Sequence, residues 1–99
     1  MTTDRELLEK AAKAAGMEID PIDAMHEPEQ WYAWNPLTDD GDALRLAVDL
    51  KMKITVGNAI VMVEAIGIPD VGVPFTGDAR EATRRAIVRA AAAIGEQMP

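Results

Sequence analysis

The chain contains no cysteine. Disulfides, iron–sulfur clusters and thiol nucleophiles are therefore excluded, and the composition fits an intracellular setting. Aromatic side chains are scarce: Trp31, Tyr32, Trp34 and Phe75 are the whole set. The single histidine, His26, stands among Asp23, Glu27 and Glu29. Such a group can titrate near neutrality or bind a metal, but without a second histidine or a cysteine it reads as a surface-loop residue. No apolar run is long enough to cross a bilayer, and the N-terminus lacks a signal-peptide pattern, so a cytoplasmic protein without membrane contact is expected. There is no glycine-rich phosphate loop, no nucleophile elbow and no metal motif. The sequence thus offers no catalytic residue, metal ligand or cofactor, and a non-enzyme is expected.

Positive charge is also in short supply. Ten basic residues face seventeen acidic ones, for a net charge of −7. Binding to duplex nucleic acid needs a strongly basic surface and is not expected here. The acidic balance suits a basic protein partner, and it also serves the plainer purpose of keeping a small domain soluble. Ninety-nine residues make one domain that buries roughly 60–65% of its unfolded surface, enough for one core.

The segment from Trp34 to Leu50 reads as the organising stretch. Pro36 fixes its own φ and pushes Asn35 out of the helical region, which makes a turn. Thr38 is expected to cap the helix that follows, over 39–51, with Asp39, Asp40 and Asp42 at its positive end. These aspartates do not have the alternation of a calcium loop, so helix-start chemistry accounts for them. Ala43, Leu44, Leu46, Ala47, Val48 and Leu50 fall on one broad apolar face, opposite Asp42, Arg45 and Asp49.

Earlier in the chain, Thr3 and Glu6 form a capping box for a helix over 4–15, closed by Gly16. Leu7, Leu8, Ala11, Ala12 and Ala15 are its buried stripe, with Glu6–Lys10 and Glu9–Lys13 as outer ion pairs. Met17–Ile22 alternates like a short strand, with Pro21 marking an edge, and Asp23–Gln30 reads as a loop. A short strand from Trp31 leads into the central turn.

A β-hairpin is expected over about 53–65, turning at Gly57-Asn58 in type II′ geometry. That turn sets Val56 against Ala59, Ile54 against Val61 and Met52 against Val63 on a wholly apolar face. The other face carries Lys51, Lys53, Thr55, Ile60, Met62 and Glu64 and is mixed, either covered by a helix or open to a partner. Ile66–Gly77 reads as a loop with a short extended piece at Val71–Val73. Asp78 and Glu81 form a second capping box, and a helix runs over 79–96 with Thr83, Ile87, Ala90, Ala91 and Ile94 buried. The fold class expected is α+β: a small antiparallel sheet packed against three helices. Leu44, Leu46, Leu50, Ile54, Val61, Val63, Ile87 and Ile94 are expected to share its core.

Trp34–Leu50, with Asp4–Gly16 and Ala82–Ala91, resembles the phage ABA sandwich domain family, small proteins of tailed phages and prophages that are mostly of unknown function. The blocks stand in the right order and cover about half the chain, whereas Met17–Gln30 and Met52–Gly77 carry no such likeness. The resemblance implies an α/β/α sandwich in the cytoplasm of an infected or lysogenic host. It also implies an accessory protein that acts by binding, most plausibly by inhibiting an antiphage defence component. A nucleotide-signal sponge and a structural homo-oligomer are the alternatives. The expected binding residues are Arg80, Arg84, Arg85 and Arg89, the densest basic group in the chain, with Trp31 and Tyr32 as stacking or anchoring aromatics. The plainer reading pairs the arginines with the surplus carboxylates and packs the aromatics beside the core.

Overall fold

The computed structural model describes residues 3–17 and 34–98. Its elements are α1 (Asp4–Ala14), α2 (Asp40–Asp49), β1 (Lys53–Val56), β2 (Ile60–Glu64), β3 (Val71–Pro74) and α3 (Ala79–Gln97). The strand expected at Met17–Ile22, the Asp23–Gln30 loop with His26, and Trp31 and Tyr32 lie essentially outside the described residues. Among the described residues, no helix is long and apolar enough to cross a membrane.

The α+β class stands, with three helices and an antiparallel sheet ordered β1-β2-β3 among the described residues. The hub is α3, not the central helix that the sequence put forward. It packs on β2 and β3, and α1 and α2 pack against it. Its alanines allow this: Ala82, Ala86, Ala90, Ala91 and Ala92 are all buried, along with Ile87 and Val88. Small side chains let neighbouring backbones approach on several sides at once. The described helix–sheet packing lies on the face of Val61, Val63 and Val73.

Local chemistry sets the helix ends. Thr3 accepts from the Glu6 amide and Asp78 from the Arg80 amide, as expected of caps. The cap of α2 is Asp39 rather than Thr38: its carboxylate accepts from the Asp42 amide at 2.7 Å. The Thr38 amide and hydroxyl are turned back to the Asn35 carbonyl, so Thr38 belongs to the Pro36 turn. Asp42 is also not on the solvated side. It is buried, accepts from the Asn35 amide at 2.9 Å and pairs with Arg45 at 2.6 Å. On the apolar side, Ala43, Leu46 and Ala47 are buried but Leu44 is 61% and Val48 65% exposed. An apolar face that broad exceeds what one helix neighbour can cover.

The hairpin forms with a different turn. Ile54 pairs with Val63, not Val61, a shift of two residues. Gly57 does not have the positive φ that type II′ needs, and its amide bonds to the Ile60 carbonyl, which centres the turn on Asn58-Ala59. A two-residue shift keeps every side chain on its expected face, because the strand period is two. It also sets Lys53 opposite Glu64 in place of Met62. The Val71–Pro74 piece of the expected loop is a full third strand, with Val73 opposite Val61.

Candidate functional site

The four arginines of α3 form two rows at helical spacing, and the structure separates them. Arg84 faces α2. Its Nε donates to the Leu37 carbonyl at 2.9 Å and a terminal nitrogen to Asp40 at 2.6 Å, and the side chain is only 17% exposed. Arg85 faces α1 and donates both terminal nitrogens to the Asp4 carboxylate, at 3.0 and 3.4 Å. That hydrogen bonding holds Asp4 below its ordinary pKa and raises Arg85 above its own. Both arginines therefore tether neighbouring helices to α3.

Two arginines remain exposed, on different flanks. Arg80 lies near Asp78 at 3.7 Å. Arg89 makes no ion pair among the described residues and lines an α1/α3 groove of 450 Å³ with Leu7, Lys10 and Glu96. Within that groove Lys10 is paired with Glu96. Of the expected binding residues Arg80, Arg84, Arg85 and Arg89, two are thus held in tethers to neighbouring helices and two are exposed on different flanks.

The aspartates at the start of α2 are equally committed. Asp39 caps the helix, Asp40 holds Arg84, and Asp42 holds the Asn35 turn and Arg45. Each carboxylate has a structural partner, and Asp40 and Asp42 lie in the first turn of α2 as the helix-start reading expected.

Among the described residues, the outer face of the sheet is a surface that these caps and tethers do not account for. Alternation along β2 turns Val61 and Val63 into the core and Ile60, Met62 and Glu64 outward. Their neighbours on that face are Lys53 and Thr55 of β1, and Gly72 and Pro74 of β3. Gly72 is essential to its shape: a Cβ there would stand 2.9 Å from the Met62 sulfur and 3.2 Å from the Ile60 Cδ1. Both apolar side chains therefore lie flat across the glycine. Ile60 is 42% exposed, and Ile66, beyond the end of β2, is almost wholly so. An antiparallel sheet with one face in water ordinarily turns polar residues outward. Here the middle strand presents Ile60 and an adaptable methionine, rimmed by the Lys53–Glu64 pair and Thr55. Such a face suits an apolar contact with a polar rim, and it has no nucleophile–base pair. The sequence marked this face as mixed; what it missed was Gly72, which makes the two apolar residues a continuous surface.

Comparison of the chain with protein-family models, curated proteins and solved structures finds no match in any of the three.

Proposed function

We propose that this protein acts by binding another protein and not by catalysis, using the outer face of its sheet. The observation that carries this is the pair Ile60 and Met62, spread over Gly72 on the exposed side of the central strand. The net charge of −7 favours a partner with a basic rim. The resemblance of Asp4–Gly16, Trp34–Leu50 and Ala82–Ala91 to the phage ABA sandwich domain family supports the biological setting. In that setting the protein is a phage-encoded accessory factor in the host cytoplasm, and its partner is a component of antiphage defence that it inhibits by occupancy.

The test is affinity capture from host lysate with the wild-type protein and with Ile60→Glu. Ile60 is exposed enough for the change to leave folding intact, which circular dichroism verifies. A host protein retained by the wild type and lost by Ile60→Glu is the expected result. Retention unchanged by the substitution would remove the outer face from the proposal.

A second reading, a sponge for a nucleotide signal, is favoured by one feature: Arg89 makes no ion pair among the described residues and lies beside Lys10 and Arg85 in the α1/α3 groove. Native mass spectrometry of protein purified from host cells separates the two. A nucleotide that co-purifies with the wild type and not with Arg89→Ala supports the sponge.

A further inference from the structure

The sheet has two edges, and they are unlike. β3 carries Pro74, which has no N–H to offer, and edges so marked resist pairing. β1, reading Lys53-Ile54-Thr55-Val56, has no proline. The Gly57 amide bonds to the Ile60 carbonyl, and bonded and non-bonded pairs alternate along an antiparallel ladder. Lys53 and Thr55 therefore direct their amides and carbonyls to β2, and Ile54 and Val56 turn theirs outward. Among the described residues, no strand pairs with that edge.

The same two residues have their side chains on the inner face. The contacts of α3 with the sheet run to β2 and β3, so β1 overhangs the helix. Under the overhang lies a groove of 210 Å³ lined by Ala43 and Leu44 of α2, Ile54, and Thr83 and Ile87 of α3. Val56 is 56% exposed at its end, and Leu44 and Val48 form an exposed apolar strip on α2. An unpaired strand edge flanked by apolar side chains is a template for another strand.

We infer that this edge pairs with the β1 edge of a second copy of the chain, antiparallel about a two-fold axis at Thr55. Self-complementarity selects the second copy. With Thr55 opposite the partner's Thr55, Ile54 lies opposite the partner's Val56 and Val56 opposite the partner's Ile54. Every outward amide and carbonyl of these residues finds a mate, and the apolar side chains meet over the two grooves. Lys53 falls opposite Gly57, so no like charges face each other. Moving the axis to Ile54 sets the Val56 carbonyl against the Met52 amide, which is already bonded to the Ala47 carbonyl. Moving it to Lys53 places two lysines opposite one another, which is unfavourable. Among the axes at Lys53, Ile54 and Thr55 the chemistry of the edge favours Thr55, and the three strands of each copy join into one continuous sheet. The outer face stays open in this dimer, so the inference stands apart from the proposed partner contact.

The experiment is sedimentation and native mass spectrometry over a concentration series, with cysteine cross-linking. The chain has no cysteine of its own, so Thr55→Cys provides a single thiol on the axis, at a non-bonded pair where Cα atoms lie close enough for a disulfide. The expected results are a concentration-dependent wild-type dimer, rapid covalent dimerisation of Thr55→Cys under mild oxidation, and little for Thr76→Cys. Val56→Pro removes an outward amide that β2 does not use, and Val56→Lys adds charge at an exposed position. Both should be monomers with unchanged circular dichroism at concentrations where the wild type is dimeric. A wild type that is monomeric throughout, a dimer that survives both Val56 variants, or cross-linking of Thr76→Cys as fast as Thr55→Cys would each overturn the inference.

Discussion

Gly95 of α3 rests against the backbone carbonyl of Lys10 in α1, so closely that a Cβ on Gly95 would overlap that oxygen. The two helices meet along an alanine-lined seam of Ala11, Ala12, Ala91 and Ala92, all buried. The seam also redirects the lysines of α1. Lys10 pairs with Glu96, and Lys13 donates to the Met98 carbonyl at 3.0 Å, in place of the intrahelical Glu6–Lys10 and Glu9–Lys13 pairs that spacing suggests. Arg5, instead, pairs with Glu9.

Gly95→Ala should therefore destabilise the protein although alanine is the better helix former. Its propensity gain is about 1 kcal/mol, whereas overpacking against an immovable backbone costs roughly 1–3 kcal/mol or more. Gly77→Ala is the control, since a Cβ there meets nothing within 4 Å. Urea denaturation should show a clear loss for the first and little change for the second. Equal stability of the two variants would mean that α1 and α3 do not meet at this glycine.

Lys51→Gly should stabilise. α1 and α2 end in the same motif: the Met17 amide reaches the Ala12 carbonyl, and the Met52 amide reaches the Ala47 carbonyl. The residue before each takes a left-handed conformation, Gly16 at φ +76° and Lys51 at φ +54°. Glycine meets that demand at no steric cost, whereas a side chain costs roughly 1–2 kcal/mol. Allowing for glycine's greater unfolded-state entropy, the gain should be about 0.5–1 kcal/mol, read as a higher urea midpoint. A lower midpoint would place Lys51 outside the left-handed region.

Much of the local structure was legible because its causes are local. Thr3, Gly16 and Asp78 act within a few residues of themselves and set the ends of α1 and the start of α3, whereas α2 is capped by Asp39, one residue after Thr38. The hairpin faces were legible for the same reason, but the register was not. It depends on the Lys53–Glu64 pairing and on the Phe75 amide bonded to the Ala59 carbonyl, which comes from the third strand. The burial of α3 on several sides escaped because alanine marks close approach without saying from which direction. The arginines were read as one group because they are close in sequence. Their partners, Asp40 for Arg84 and Asp4 for Arg85, are 44 and 81 residues away, and no spacing rule reaches that far.

The α2 leucines test the burial assignment directly. Leu46 is buried in the core, and Leu46→Ala should cost roughly 2–5 kcal/mol. Leu44 stands one turn fraction away at 61% exposure, and Leu44→Ala should change folding stability by less than about 0.5 kcal/mol. Thermal and urea unfolding at a concentration where the chain is monomeric give both values. Similar losses at the two positions would mean that α2 is rotated from the orientation described.

The pH dependence should show the tether between α1 and α3. Asp4 titrates below the ordinary aspartate value of 3.8 because it accepts the Arg85 hydrogen bonds, with Arg85 and Arg89 charges adding to the effect. Asp78 is lowered in the same direction, chiefly by the Arg80 amide it caps. In both, the folded value lies beneath the unfolded one. The stability they contribute is thus fully present above 3.8 and lost as pH falls through the lower folded values. Lys10 is the opposite case: the Glu96 hydrogen bond raises it above 10.5, so its contribution holds below that value and fades as pH rises through the folded one. Between these limits the stability should be flat with respect to these three groups. Asp4→Asn isolates the acid limb. At neutral pH it should cost roughly 0.2–1 kcal/mol, a range set low because the pair is largely exposed. Below the folded Asp4 value the variant and the wild type should become equally stable, since a protonated Asp4 no longer pairs with Arg85. Urea midpoints measured from neutral pH to the acid limit decide it, and a gap that stays constant across that range would show that Asp4 supports the fold by packing and not by its charge.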